Sequence, residues 1–220
     1  VGADGVVVVN NTYPQGAARL LRCTGVIVKN NIFGEAAGNI EGLSEAGHNL
    51  WLVGSTKLAP TDITGADVRF VNAETALFRM DWGKRADCTE TRLYPRGAAG
   101  RLKVGDRIEV FLSDGSGRDG ILREITAVDG DAIDIAPPLS AKPGPLGAIV
   151  YVWPEGLENR RPDYRLRPDS PAIDSADGSV ERGKDLAGHE PFDDPDVPNT
   201  GVGRVPYLDR GALEYVPPPR

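Results

Sequence analysis

Short apolar runs that end in polar corners recur along the first third of the chain. Val6-Val7-Val8-Val9-Asn10-Asn11-Thr12-Tyr13 returns twenty residues later as Val26-Ile27-Val28-Lys29-Asn30-Asn31-Ile32-Phe33. A third, weaker copy, Gly47-His48-Asn49-Leu50-Trp51, comes after eighteen more. The shared core is Asn, any residue, aromatic: Asn11/Tyr13, Asn31/Phe33 and Asn49/Trp51. A repeat of about 20 residues is the period of a stacked structure whose turns each contact only their neighbours. Side chains alternate along a strand, so Val26 and Val28 are expected to face inward together. The chain must then bend, and Asn tolerates the left-handed conformation a bend requires. Its amide is expected to bond to the Asn of the next turn, giving a ladder of Asn11, Asn31 and Asn49. Two residues on, Tyr13, Phe33 and Trp51 are expected to point inward and stack, each pair adding about 0.5–1.5 kcal/mol beyond burial. The competing reading is a set of unrelated hairpin strands sharing Asn-Asn, and three coincident aromatics weigh against it.

After Asp67-Val68-Arg69-Phe70-Val71-Asn72 the pattern changes. From about Lys84 to Trp153 the runs are non-repeating. Strands are predicted over 107–112, 121–128, 132–135 and 148–153. Asp114-Gly115 and Asp129-Gly130 are hairpin dipeptides, and Pro137-Pro138 ends the third strand. Short strands joined by tight turns predict a small antiparallel β-barrel of SH3-like or OB-like size. The predicted division is therefore parallel rungs over 1–83, an inserted barrel over 84–153, and a final rung with a C-terminal strap over 154–220. Architecture alone gives the barrel no function. Two readings stand for it, a module beside the β-helix groove that touches sugar and a spacer or stabilising lid; Tyr94, Phe111, Tyr151 and Trp153 are its large rings, and some are needed as core, which favours the spacer or lid.

Composition agrees with many turns and few helices: 27 Gly and 18 Pro in 220 residues, with aromatics at 6%. No sustained helical period is present, and no run approaches the ~20 apolar residues of a membrane span. The net charge is −7, and the chain from Asp163 onward carries 12 acidic against 7 basic residues. Such a balance repels phosphates and argues against a nucleic-acid partner. Cys23 and Cys88 lack metal-ligand spacing, and both a disulfide and two buried thiols fit them. Two histidines, His48 and His189, exclude a multi-histidine metal site. The chain starts almost inside a strand with no signal peptide, so a fragment or processed product is expected.

The tail carries the most specific motif. Asp163-Tyr164-Arg165-Leu166-Arg167-Pro168-Asp169-Ser170-Pro171-Ala172-Ile173-Asp174 resembles the segment that ends many secreted bacterial right-handed parallel β-helix proteins of the pectate-lyase-like and chondroitinase-B-like type. The likeness continues through Asp185-Leu186-Ala187-Gly188 and closes at Asp209-Arg210-Gly211-Ala212-Leu213-Glu214-Tyr215. With the Asn-x-aromatic rungs it covers about residues 5–72 and 163–215, leaving the barrel outside. The resemblance implies an all-β fold: the last rungs of a right-handed parallel β-helix with an inserted small antiparallel β-barrel. It also implies an extracellular location, secreted or at the cell surface, and polysaccharide as partner, acidic or neutral, with further rungs of the same protein upstream.

Family enzymes often cleave uronic-acid sugars by β-elimination, in which the carboxylate charge is masked and a base takes the neighbouring proton. No family catalytic motif maps onto this chain, and the site of such enzymes would lie on rungs before Val1. Lys29, Lys57, Arg69, Arg79, Lys84 and Arg85 are candidates by charge alone, and solvation is the plainer role for Lys29. His48 stands at the corner position of Asn10 and Asn30 and is expected to hydrogen-bond there. Ser170, Asp174 and His189 make a poor hydrolase triad, since no nucleophile elbow surrounds the serine. Asp193, Asp194 and Asp196 are candidate Ca²⁺ ligands, because hard cations take several carboxylate and carbonyl oxygens. Their spacing is not that of an EF-hand, and Pro195 and Pro198 suggest a rigid solvated strap instead. The residues leave two main functional readings: the non-catalytic end of a polysaccharide lyase or glycoside hydrolase, and a cell-surface or glycan-binding rod. A trimeric tailspike stem is a third.

Overall fold

The computed structural model describes residues 2–14, 18–34, 39–52, 57–73, 76–113, 117–145, 147–153, 162–180 and 183–217. The chain divides into two compact units, Val1–Val71 with Asp163–Arg220, and Asn72–Pro162. Both are built from β-strands, and no helix among the described residues is long and apolar enough to cross a membrane.

The first unit begins with ten short strands: β1 (Ala3–Asp4), β2 (Val7–Val9), β3 (Thr12–Tyr13), β4 (Cys23–Thr24), β5 (Val26–Lys29), β6 (Ile32–Phe33), β7 (Leu43–Gly47), β8 (Leu50–Trp51), β9 (Ile63–Thr64) and β10 (Phe70–Asn72). The first nine pair in parallel, in the order β1-β4, β2-β5-β7 and β3-β6-β8-β9. The register places Val8 beside Val28 and Tyr13 beside Phe33, then Phe33 beside Trp51. Each of these strands thus lies on the one a single repeat before it. Val26 and Val28 are wholly buried with Phe33 and Trp51, while Ile27 and Lys29 between them are half-buried, as the two-residue alternation requires. The corner between the two long ladders recurs at Asn10, Asn30 and His48, with φ of 54°, 59° and 55°. Asn and His are among the side chains that tolerate this left-handed region best.

The second unit is antiparallel. Its strands are β11 (Ala76–Arg79), β12 (Arg92–Leu93), β13 (Arg107–Leu112), β14 (Gly117–Arg118), β15 (Arg123–Asp129), β16 (Ala132–Ala136) and β17 (Ala148–Val152). They run in the order β11-β17-β13-β15-β16-β12, with β14 on β13. The backbone bonding continues from the last strand to the first. Asp81 N–H donates to Tyr94 O at 2.7 Å, and Arg96 N–H to Arg79 O at 2.8 Å. Phe78, Leu93, Ile108, Val110, Ile125 and Ile133 lie at its apolar centre. The sheet therefore takes in β11, upstream of Lys84, where the sequence pattern starts the second unit. The Asp129-Gly130 dipeptide turns β15 into β16, with Gly130 at φ 61°. The Asp114-Gly115 turn lies outside the described residues. The predicted strand over 121–128 starts two residues later, because the N–H of Ile121 bonds to Asp119 Oδ1 at 3.0 Å rather than to a neighbouring strand. Cys23, half-buried, and Cys88, buried, are both free thiols.

The chain then re-enters the first unit with β18 (Asp163–Leu166), which pairs with β10. The rest of the tail is mostly turns. Leu166, Ala172 and Ile173 are buried, and the segment around Leu208–Tyr215 bonds back to the parallel ladders. Gly211 N–H donates to Asn30 O at 2.7 Å and Ala212 N–H to Thr12 Oγ1 at 2.9 Å.

Candidate functional site

Strand β18 and the tail together enclose a cleft of about 500 Å³ in the first unit, within the size range of small-molecule sites. Val71, Leu166, Pro168, Leu213 and Tyr215 give it an apolar lining, and Arg165, Arg167, Asp185, His189 and Glu214 supply its polar groups.

Asp185 organises the polar side. Its Oδ1 accepts from the N–H of Ala187 at 2.9 Å and of His189 at 2.7 Å, closing a tight turn. Its Oδ2 accepts from the N–H of Glu214 at 2.9 Å and lies 3.3 Å from His189 Nδ1. Burial alone would raise its pKa, but the N–H groups of Glu214 and His189 and the His189 ring outweigh it and hold the carboxyl below its ordinary range. An ionised Asp185 places the ring proton on Nδ1 of His189 and leaves Nε2 to accept or donate one. The His189 side chain is 46% exposed, so the ring is accessible. Arg165 is already answered: its Nε and Nη2 bind Asp163 at 2.9 and 2.5 Å, and this pairing, against burial, holds Asp163 low. The cleft can thus hold an apolar body and offer one acid–base group. The pairing of His189 with Asp185 four residues before it is not among the sequence expectations; an Asp-x-x-x-His spacing in a turn-rich tail is the signal that carries it.

The Asn positions form a continuous column. Asn11 Nδ2 donates to Asn31 Oδ1 at 3.0 Å, and Asn31 Nδ2 to Asn49 Oδ1 at 2.9 Å. Asp62, which the repeat does not single out, ends the column: its Oδ1 accepts from Asn49 Nδ2 at 3.2 Å and Asn49 N–H at 2.9 Å. Its Oδ2 takes Trp51 Nε1 at 3.2 Å and the N–H of Leu58 at 2.9 Å. Phe33 and Trp51 stack with ring centroids 4.7 Å apart. Tyr13 shares their backbone register, beside Phe33, and is 56% exposed.

Several of the remaining candidates are held in structural contacts. Lys29 bridges Glu45 at 2.8 Å and Asp177 at 3.1 Å; the Glu45 bond, opposed by burial and helped by Asp177, raises its pKa. It is therefore a held cation rather than a base. Arg69 pairs with Asp169, and Lys84 lies 3.7 Å from Asp87. Lys57 is exposed, and Arg79 lies in β11 of the antiparallel unit. His48 Nδ1 meets Ser175 O at 2.9 Å. Ser170 is buried, donates to Val68 O and accepts from Ala172 N–H, so its hydroxyl closes a bend; His189 is paired elsewhere, and the triad does not form. Asp193, Asp194 and Asp196 are not brought together as ligands. Asp193 and Asp196 are exposed, and buried Asp194 accepts its own loop's Asp196 N–H at 3.0 Å. Among the described residues no group of three His, Cys, Asp or Glu is placed to hold a metal ion.

Beneath the tail lies a set of buried acids that the sequence pattern does not reveal. Asp174, Asp209 and Glu214 are each at most 3% exposed. Asp209 accepts the N–H of Asp174 at 2.8 Å and of Tyr215 at 2.6 Å, while burial and then the charge of Glu214 push its pKa up. Arg210 beside them is buried, and its guanidinium meets carbonyls rather than a carboxylate. It donates to Ser175 O at 3.0 Å, Asn49 O at 2.9 Å and Thr61 O at 3.3 Å, tying the tail to the parallel ladders. No protein-family model matches this chain, and neither a curated protein nor a solved structure does.

Proposed function

We propose that this chain is the C-terminal part of an extracellular, polysaccharide-associated right-handed parallel β-helix protein with a small β-barrel inserted before its last turn. The catalytic rungs, of a polysaccharide lyase or glycoside hydrolase, lie upstream of Val1. One observation carries the reading: parallel strands recur at the spacing of the Asn-x-aromatic repeat and are joined by a side-chain column from Asn11 to Asp62. The tail that resembles the ends of such proteins is the part that closes over these rungs through Arg210 and Gly211. A non-catalytic glycan-binding rod is the second reading. It is favoured by the ion pairing of Lys29, Arg69 and Lys84, which leaves those cations ill-suited to proton abstraction.

Incubation of the full-length protein with pectate, alginate and chondroitin separates the two. Unsaturated product from any of them supports the lyase, and reducing ends without unsaturation support the hydrolase. Retained binding with no cleavage moves the assignment to the rod. Neither binding nor cleavage across the panel removes polysaccharide association altogether.

A further inference from the structure

The antiparallel unit carries a second, smaller cleft with a different chemistry. The chain leaving β11 and the chain entering β17 lie side by side, since Arg79 pairs with Ile149 and Met80 N–H donates to Ala148 O at 3.1 Å. Two loops are thereby brought together, Trp82–Ala86 and Lys142–Pro145, around a volume of about 360 Å³. Arg85 links them. Its Nε donates to Trp82 O at 3.2 Å, its Nη1 donates to Pro145 O, and its guanidinium carbon sits 3.1 Å from the centre of the Trp82 ring.

Three features point to a ligand. Trp82 is 72% exposed although Arg85 covers one face, so its other face meets solvent; Trp51 and Trp153 are at most 2% exposed. An indole left in water is a surface feature with binding value, because it offers a large rigid apolar area with a negative π face. The wall beside it is apolar and stiff, formed by Pro143 and Pro145. The charged residues of the lining are Arg85 and Lys142, both cations, in a chain of net charge −7. The nearby acids are engaged: Asp81 accepts Gly83 N–H at 2.8 Å, and Asp87 faces Lys84.

We propose that this cleft binds an anionic sugar residue, its ring laid against the exposed Trp82 indole and its acidic group drawn by the Lys142 and Arg85 charges. A pyranose ring presents axial C–H groups, the polarity an indole face attracts, while its rim stays hydrated. The acidic group supplies the charge that two cations lining one cleft call for. Arg85 needs no rearrangement, since its bonds to Trp82 and Pro145 already hold it across the cleft, and this reduces the ordering cost of binding. The choice of a sugar rests on the polysaccharide reading above; the choice of an anion rests on Arg85 and Lys142.

The test titrates the 220-residue chain with a hexuronate oligosaccharide, a neutral hexose oligosaccharide of equal length, and an acidic peptide. Acrylamide quenching of tryptophan fluorescence reports on Trp82, the exposed indole of the three. The hexuronate is expected to shield it and to bind about tenfold more tightly than the neutral sugar at low salt, the difference shrinking as salt rises. By calorimetry, Trp82→Ala and Lys142→Ala are each expected to weaken hexuronate binding about tenfold. Their thermal melts should stay unchanged, because both side chains are exposed. Hexuronate binding that both variants retain in full overturns the cleft while leaving polysaccharide association in place. Equal affinity for the acidic peptide overturns the sugar. No binding of any probe overturns the cleft, and the polysaccharide panel on the full-length protein then decides the wider reading separately.

Discussion

Asp174 shows how one side chain sets a pH dependence. Its backbone is fully used: the N–H goes to Asp209 Oδ1, and the carbonyl accepts from the N–H of Thr200 and Gly201 at 2.8 and 3.0 Å. Its carboxyl is wholly buried, and neither oxygen meets a donor at full hydrogen-bond geometry. Burial, partly offset by the Asp194 N–H and reinforced by the charges of Asp193 and Asp194, raises its pKa from 3.8 to about 6. A carboxyl whose folded pKa lies above its unfolded one stabilises the fold most when protonated. That contribution is complete below about pH 4 and is lost as pH rises through about 6. Asp163 and Asp185 are shifted downward and act in the opposite sense, so the measurement must be a difference between proteins. Asp174→Asn keeps the shape and tolerates the φ of 50°. It is expected to stabilise the chain relative to wild type by about 1–3 kcal/mol above pH 7 and to change little near pH 4. Urea unfolding of both proteins across this range checks it, and parallel curves would show that the carboxyl is not desolvated as described. Little of this is legible in the sequence, because Ser170-Pro171-Ala172-Ile173-Asp174 names a bend but not the acids that fold onto it from 209 and 214. The corner asparagines are the opposite case. Their doubling encodes two tasks, a left-handed backbone at Asn10 and Asn30 and a hydrogen-bonded column at Asn11 and Asn31.

Elements lacking regular hydrogen bonding depend on single close approaches, and the segment Leu208–Tyr215 is held this way. Gly211 has φ +98°, and a Cβ there would lie 2.6 Å from Thr12 Oγ1 and 2.8 Å from Ile32 Cδ1. Its N–H reaches Asn30 O because nothing stands between the two backbones. Gly211→Ala is expected to cost about 1–3 kcal/mol through backbone strain and overpacking. The loss should be local. Hydrogen exchange at Arg210 and Ala212 should quicken well before exchange at Ile32 and Leu50, whose N–H groups bond to Asn11 and Asn31 within the ladder. Uniform acceleration across both sets would mean that the segment and the parallel ladders unfold as one. At this scale the sequence is informative where a period repeats and uninformative where it does not. The parallel ladders keep a spacing of twenty and then eighteen residues, whereas the cleft of His189 and Asp185 assembles Val71, Leu166 and Tyr215 from three separate stretches. No local pattern links those positions, and only the pairing of β10 with β18 brings the first two near each other.

At the scale of the whole molecule, the chain is one folded unit interrupted by another. β10 and β18 pair, and Arg167 N–H donates to Arg69 O at 2.9 Å, so the first unit closes its own backbone across the gap of Asn72–Pro162. Loop-closure entropy grows only with the logarithm of length, about 0.6 kcal/mol per doubling, so a long insertion between two paired strands is tolerated if it folds by itself. The intervening unit has the means to do so: its own apolar centre around Phe78, Ile108 and Ile133, and backbone bonds joining its first strand to its last, which leave few open edges. Asn72–Pro162 expressed alone is therefore expected to melt cooperatively, with Trp153 buried. The chain with residues 73–162 replaced by a short Gly-Ser linker is expected to keep Trp51 buried and a cooperative transition of its own. Fluorescence-detected denaturation of the two pieces and the intact chain checks this, since Trp51 and Trp153 are buried one in each unit. If the excised chain loses its transition while the isolated piece keeps one, the parallel ladders depend on the insertion, and β10–β18 pairing alone does not hold the two halves of the first unit together.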